Sequence, residues 1–402
     1  MTEIADRPLT VPVLADAAEA LAVAARLSAR FAAGASERDA RRQLPAAELD
    51  ELSGSGLLGI TVPREYGGAD LPTSVVVEVF RLLAAGDPNI AQIPHSHFVY
   101  VNALRQNGTE SLRRLLFAEV LAGRRFGNAQ SELGTKHVQD YRTRLRAHPE
   151  GGYVLDGVKS YSTGALFAHW IPVLAKNEDD RIEVAFVPAD ATGLTVVDDW
   201  DGMGQRTTAS GTVRLEGVRV PADHVVPHHL TFTGPQLYGA RAQVLHTAID
   251  AGIARAALTE AVDFVRTRSR PWFEAGVEHA HEDPLTVQRF GELEVTVRAA
   301  EALLAVAGRT IDEAAAALDD DSAAAASIAV ATAKSAADRA ALDVTNALFE
   351  VAGTRSALDS LNLHRHWRNA RTHTLHDPVR WKIQHIGRYI LNGTPPPRHG
   401  VL

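Results

Sequence analysis

Gly151-Gly152-Tyr153-Val154-Leu155-Asp156-Gly157-Val158-Lys159 decides the fold class, because it is a short β-rich run, framed by Gly-Gly and Asp-Gly, amid long helical patterns. Similar alternating runs recur at Ile182 to Val187, Gly193 to Val197 and Thr212 to Leu215, separated by glycine and proline turns. Together they predict a compact β sandwich or barrel over residues 126–232. Upstream, from Val13 to Arg125, Ala- and Leu-rich segments break only at Gly54 to Gly59, Pro63 to Gly68 and Gly86-Asp87-Pro88. This predicts an N-terminal α-helical domain, residues 1–125. Downstream, helical periodicity returns at Ala242 to Arg268, Pro284 to Leu318, Ser322 to Val351 and Asn362 to His376. Four such helices suggest an antiparallel bundle in residues 233–402, with the Ala-rich run from Ala314 to Ala333 read as packed helix rather than linker. The expected class is α+β.

Composition narrows the function. With 402 residues, 46% of them hydrophobic, the chain is long enough for several domains and a substantial core. A net charge of -8 without any dense Lys/Arg run argues against nucleic acid as a partner. No apolar run approaches the roughly 20 residues that cross a bilayer, and the first residues lack a signal-peptide pattern, so a cytoplasmic protein is expected. There is no cysteine, and the methionines are Met1 and Met203, which excludes disulfides, thiolate catalysis and cysteine metal sites. Such sulfur poverty reads either as drift in an Ala- and Arg-rich proteome or as economy in a protein made when sulfur is scarce. No glycine-rich dinucleotide fingerprint or P-loop is present, so NAD(P)H and ATP have no evident seat of those kinds.

Arg368-Asn369-Ala370-Arg371-Thr372-His373-Thr374-Leu375-His376-Asp377-Pro378 carries the densest chemistry. His366, His373 and His376 fall along one side of a helix, and Pro378 disfavours helical geometry at Asp377. The last imidazole and the carboxylate should therefore sit where helix gives way to loop. Proton carriers there suit acid–base chemistry, yet histidines also favour a helix C-terminus simply by capping it. A His-x-x-His step alone is a weak zinc signal, and no metal is assigned.

Several motifs resemble the acyl-CoA dehydrogenase superfamily, whose fold is an N-terminal α domain, a central β domain and a C-terminal four-helix bundle. Thr61 to Gly68 resembles its Pro-x-x-Tyr-Gly-Gly turn, Asn128 to Gly134 its flavin-binding strand and loop, and Lys159 to Gly164 its Lys-x-Trp-Ile-Thr-Asn strand. Arg268 to Phe273 resembles the segment that reaches a neighbouring subunit's flavin, and Phe349 to Gly353 resembles its Phe-Gly-Gly turn. The Phe-Gly spacing is kept in neither place, which favours FMN over FAD. The dehydrogenase base departs most. Its position corresponds to Asp377, a shorter acid against proline, and the alternative position, at the start of the first bundle helix, to Ala240.

His373 to Pro378 resembles instead the flavin-dependent monooxygenase branch, that of the dibenzothiophene monooxygenases and the sulfur-acquisition oxidoreductases. The resemblance implies catalytic roles for His97, Thr163, His373 and His376, with His97 preferred to His95 because it directly precedes Phe98. It implies that Asn128, Ser131 and Thr163 bind the isoalloxazine, and that Arg268 or Arg270 binds the phosphate. The implied reaction passes oxygen from a C4a-hydroperoxide of reduced FMN to an organosulfur substrate, with a separate flavin reductase supplying FMNH2 and a homotetramer as the assembly. An FAD-dependent acyl-CoA dehydrogenase using Asp377, or an N- or C-oxygenating flavin monooxygenase, is the alternative. His228, His229, His279 and His281 read as loop residues without a chemical role.

Overall fold

The computed structural model describes residues 11–401; Met1, the rest of residues 1–10 and Leu402 lie outside the described residues. The N-terminal helices are α1 (Ala17–Arg41), α2 (Ala46–Gly54), α3 (Thr73–Gly86), α4 (Pro88–Gln92), α5 (His95–Asn107) and α6 (Glu110–Leu121). In α1 the Asp16 carboxylate accepts from the Glu19 amide, and Ala20, Ala24, Leu27 and Phe31 form the buried stripe. Between α3 and α5 the chain turns sharply. Pro88 opens α4, and Asp87 caps it by accepting from the Asn89 amide. Arg38 of α1 grips that same Asp87 with Nε at 3.1 Å and Nη2 at 2.9 Å, which fixes the approach to α5.

Seven strands follow, β1 (Arg144–Ala147), β2 (Tyr153–Lys159), β3 (Trp170–Lys176), β4 (Ile182–Pro188), β5 (Leu194–Val197), β6 (Thr212–Val220) and β7 (Val225–Val226). They form one sheet in the order β5-β6-β2-β1-β3-β4-β7, antiparallel except where β1 meets β3. Asp156-Gly157, read from sequence as a turn, instead lies inside β2 as a register shift against β6. The glycine is required by close approach, since a Cβ there would meet Thr143 Oγ1 at 2.3 Å.

The C-terminal helices are α7 (Tyr238–Thr267), α8 (Pro284–Ala316), α9 (Asp320–Ala352), α10 (His364–His373) and α11 (Val379–Asn392). Small side chains let α9 pack closely against α7 and α8, burying Ala326, Ala333, Ala337, Ala340 and Ala341 completely. The helix expected from Asn362 to His376 is the shorter α10, and the helix that packs against α9 after α7 and α8 is α11, which Pro378 opens. One continuous core joins α1 and α3 to the bundle, while the sheet has its own interior. The N-terminus of α5, the first turns of α7 and the end of α10 converge where these bodies meet. Among the described residues no helix is long and apolar enough to cross a membrane.

Candidate functional site

Helix α10 runs along α7, so each of its inward histidines faces a carboxylate one or more turns apart on that helix. His366 Nε2 meets Glu260 Oε2 at 2.7 Å, and His373 Nδ1 meets Asp250 Oδ1 at 2.5 Å. His366 is thereby separated from the others with a partner of its own. His373 Nε2 lies 3.2 Å from His246 Nδ1 and 3.2 Å from Gln92 Oε1. The His246 ring is sandwiched, stacked on His95 with centroids 3.8 Å apart and against His376 at 3.9 Å. Four imidazoles, His95, His246, His373 and His376, thus form one cluster drawn from α5, α7 and the α10 exit.

Proton positions follow from the partners. Against a carboxylate, His373 Nδ1 is the donor; its Nε2 donates to the Gln92 carbonyl when protonated and accepts from His246 Nδ1–H when neutral. His246 Nε2 then presents a buried lone pair with no hydrogen-bonding partner among the described residues. His95 Nε2 faces the Ala242 carbonyl at 2.9 Å and must donate. Burial holds His95 down at about 3 and pushes His246 well below the ordinary imidazole range. Burial also lowers His373, only partly countered by Asp250. His376, with its side chain 44% exposed, is the cluster's open face.

Behind His373 lies a wholly buried charge layer. Lys334 Nζ sits 2.6 Å from Asp250 Oδ2 and 2.9 Å from Asp338 Oδ1. Burial opposes the charge on Asp250, but His373 and Lys334 outweigh it and keep that carboxylate below its usual range. Asp338, dominated by burial, is pushed up to about 8. One carboxylate and one ammonium therefore stand paired behind the imidazole, and the second acid holds its proton near neutrality.

The acid that corresponds to the dehydrogenase base is committed to other partners. Asp377 is bound by Lys382 at 2.9 Å, approached by His376 at 3.4 Å and by the Gln243 amide when its nitrogen faces the acid. Although burial opposes its charge, His376, Lys334 and Lys382 hold it far below the usual range, so it is a poor proton acceptor. Ala240 is buried in α7 and offers no carboxylate.

On the sheet side, Lys159 is fully buried and organises the loop that carries Asn128 and Ser131. Its Nζ donates to Glu132 Oε1 at 2.7 Å and to the Gln130 carbonyl at 3.0 Å. Glu132 also accepts from the Arg142 and Thr143 amides and from Thr143 Oγ1. The Asn128 amide donates to the Tyr161 carbonyl at 3.3 Å, and the Ser131 carbonyl accepts from Ser160 N at 2.8 Å. Thr163, Ser210 and Thr208 form a hydroxyl chain with 2.7 Å steps that ends at the Gln205 carbonyl. The carbonyl at its end can only accept, so Thr208 donates to it, Ser210 donates to Thr208 and Thr163 donates to Ser210, which leaves Thr163 presenting a lone pair. Gly204 brings this loop onto α10, since a Cβ there would meet the Arg368 carbonyl at 1.9 Å.

Ser162 Oγ and both amide atoms of Gln205 are buried without partners among the described residues. Unpaired donors and acceptors of this kind are what a flat, heteroatom-rich ring satisfies, so these residues fit a flavin. Among the described residues no group of His, Asp and Glu is arranged to hold a metal ion.

His97 is placed outside the cluster. On a helix, residues two apart diverge, and His97 turns away to bond the Leu58 carbonyl at 3.0 Å and the Phe126 amide at 3.1 Å. Both nitrogens are consumed, and the ring is 1% exposed. His95 is the member of the pair that meets His246. Arg268 and Arg270 are also remote. Arg268 rests on the Phe264 ring, about 33 Å along α7 from His246 at 1.5 Å per residue. His246, Asp250, Lys334 and Gln92 were not anticipated. The available signals were the i, i+4 spacing of His246 and Asp250 on one helix and a lone lysine at the end of an alanine run.

Three family profiles match the chain: acyl-CoA dehydrogenase N-terminal domain over residues 17–124, middle domain over 129–218 and C-terminal domain over 244–381. The chain is 34% identical over 394 residues to dibenzothiophene monooxygenase of Rhodococcus erythropolis, covering 94% of each. It is 34% identical to the probable FMNH2-dependent monooxygenase SfnC of Pseudomonas putida, covering 96% of this chain and 98% of that one. The crystal structure of FMN-bound TdsC from Paenibacillus sp. A11-2 superposes with a TM-score of 0.91 at 32% identity, covering 95% of this chain and all of that one.

Proposed function

The chain belongs to the acyl-CoA dehydrogenase family, and from that premise we propose that it is a reduced-flavin monooxygenase that oxygenates an organosulfur compound. The observation that carries this reading is the cluster of His95, His246, His373 and His376, in a site where the acid at the dehydrogenase-base position, Asp377, is locked in an ion pair. The relatives named above support both the chemistry and FMN as cofactor. Bound reduced FMN supplies the two electrons by which one atom of dioxygen goes to sulfur and the other leaves as water, so that a thioether, dioxygen and FMNH2 give a sulfoxide, FMN and water.

Asn128, Ser131, Ser162, Thr163 and Gln205 would hold the ring system. Thr163 orients through its hydroxyl chain, and His376 faces the bound molecules with its exposed edge. His246 takes or returns a proton at Nε2. As it does so, His246 Nδ1 passes its proton to His373 Nε2, and the resulting imidazolium sits between Asp250 and the Gln92 carbonyl. Burial of this relay keeps bulk water from the reacting atoms.

The chain carries no nicotinamide fingerprint, so a separate NAD(P)H-dependent flavin reductase supplies FMNH2, and both would work in the cytoplasm. Arg268 and Arg270 would reach the flavin phosphate only from a neighbouring copy. A homotetramer is the assembly, supported by exposed Trp272, Phe273, Leu285, Ile390 and Leu391 near the ends of α7, α8 and α11.

The test is single-turnover oxygenation. Protein mixed anaerobically with photoreduced FMN and a panel of thioethers, sulfones and amines is exposed to oxygen-18 gas, and the products are weighed. One labelled oxygen on sulfur supports the reading. Labelled hydrogen peroxide with every substrate untouched, or bound FAD bleached by an acyl-CoA, sinks it.

A further inference from the structure

A cavity of about 220 Å³ lies beside the histidine cluster, between α5 and the first turns of α7. Phe98, Val99 and Asn102 continue the α5 face that carries His95, and Tyr238, Arg241, Ala242 and Leu245 form the opposing α7 wall. Ala242 links the two sites, because its carbonyl takes the His95 proton. The lining mixes apolar side chains such as Phe98, Val99 and Leu245 with charged ones, and the volume falls below the roughly 300 Å³ at which drug-sized pockets begin, so the space suits a few carbons or one small ring.

The charges on this wall are unequal in their commitments. Arg105 is paired with Asp70. Asp312 accepts from the Thr73 and Ser74 amides at 2.7 and 3.0 Å and so caps α3. Arg241 is not engaged in this way at close range, and Asp312 and Asp70 act on it only across the cavity. Its one hydrogen bond runs from Nη1 to the neutral Asn102 Oδ1 at 2.8 Å, and it makes no ion pair among the described residues. A guanidinium offers five N–H donors in a fork that matches an oxyanion. Here four remain for whatever enters the cavity, and burial already disfavours the bare cation.

We propose that Arg241 binds the carboxylate of an anionic organosulfur substrate, a small thioether acid, whose sulfur-bearing apolar body fills the cavity toward His95. The proposal rests on the monooxygenase reading and narrows its substrate from neutral to anionic sulfur compounds. Asn102 holds the guanidinium in place, and the Phe98, Val99 and Leu245 side chains exclude bulk water from the ion pair, which strengthens it.

Titration calorimetry on the flavin-free protein tests it with 3-(methylthio)propanoate and the neutral methyl phenyl sulfone. The thioether acid binds at least about tenfold tighter than the sulfone, a difference of about 1.4 kcal/mol. Arg241→Met abolishes that preference while retaining the sulfone, which also shows that the variant is folded, and Arg241→Lys keeps part of it. Equal binding of neutral and anionic ligands, failure of the thioether acid to bind, or undiminished anion binding by R241M overturns the inference. Oxygenation of neutral thioethers in the single-turnover assay would then still leave the monooxygenase reading standing.

Discussion

His95 and His97 show how two residues of one type, two positions apart, take unrelated roles when a helix points them in opposite directions. His97 bridges the Leu58 carbonyl and the Phe126 amide, tying α5 to the start of the sheet region. His97→Ala leaves both backbone groups buried and unpaired, and a loss of about 2 to 4 kcal/mol is expected in denaturant unfolding. Activity per folded molecule should stay near that of the parent. His95→Ala vacates a buried place stacked on His246 and so costs some stability too, but unlike His97→Ala it should reduce single-turnover oxygenation per folded molecule about 10²-fold or more. If the two variants exchanged these behaviours, the cluster would be wrongly composed. Asp250→Asn provides a second test. Removing one partner of a buried ion pair ordinarily costs about 3 to 5 kcal/mol. In this protein Asp338 lies 2.9 Å from the same Lys334 and stays protonated to about pH 8, chiefly through burial, with the charge on Asp250 adding to the effect. Once Asp250 is neutral, Asp338 can ionise in its place. The single variant should therefore fold with a smaller loss yet turn over slowly, whereas Asp250→Asn with Asp338→Asn should show the full destabilisation. The sequence could not reveal this layer, because its members lie on two helices far apart in the chain and only packing brings Lys334 to Asp250.

Periodicity made the long helices legible, since α7, α8 and α9 each keep an apolar stripe over several turns and begin or end at a clear signal such as Asp283-Pro284 or Gly353. It failed where local and tertiary signals diverged. Asp156-Gly157 carries turn chemistry, but pairing with β6 on one side and contact with Thr143 on the other hold it in a strand. Pro378 reads as a stop for α10, yet it is equally the opening of α11. The loop after Asn128 has no regular structure and depends on one ion pair for its shape. Lys159, rigid within β2, reaches across to Glu132, and four hydrogen bonds converge on that carboxylate. Lys159→Met leaves Glu132 nearly buried without its cation, so a loss of about 3 to 5 kcal/mol is expected, localised to this loop. Hydrogen exchange should show faster amides at Arg142, Thr143 and Ser160 with the bundle unchanged, together with weakened FMN binding measured by flavin fluorescence. Unchanged protection across the loop would show that the backbone contacts suffice without the ion pair.

At the scale of the whole molecule, the concentration of buried neutral imidazoles sets the response to acid. Burial lowers His95 to about 3, His97 to about 4 and His228 to about 4, and it drives His246 down as well. For each, the unfolded chain binds a proton at about pH 6.5 and the folded chain refuses it, so the stabilisation is complete above pH 6.5 and is lost as pH falls toward the folded value. Raised acids act in the opposite sense. Glu183, raised to about 7 by burial, and Asp338, raised to about 8, add stability below their ordinary range and lose it as pH rises through those values, and burial raises Asp87 as well. The lowered histidines, which also include His366, His373, His385 and His399, outnumber these acids, so the melting temperature should peak near neutrality and begin to fall below about pH 6.5, well before ordinary carboxylates titrate. His228 isolates one of these contributions without touching the histidine cluster. It is packed edge-on against Phe232 and Tyr238, and its Nδ1 has no partner among the described residues. His228→Phe preserves the aromatic packing and removes one proton-binding group from the unfolded chain. Between about pH 6 and 5 the fall in stability should therefore become shallower by about 1.4 kcal/mol per pH unit, with oxygenation at neutral pH unchanged. Urea unfolding at several pH values measures both slopes. Identical slopes in parent and variant would mean that His228 protonates in the folded state as readily as in the unfolded one, contrary to its burial.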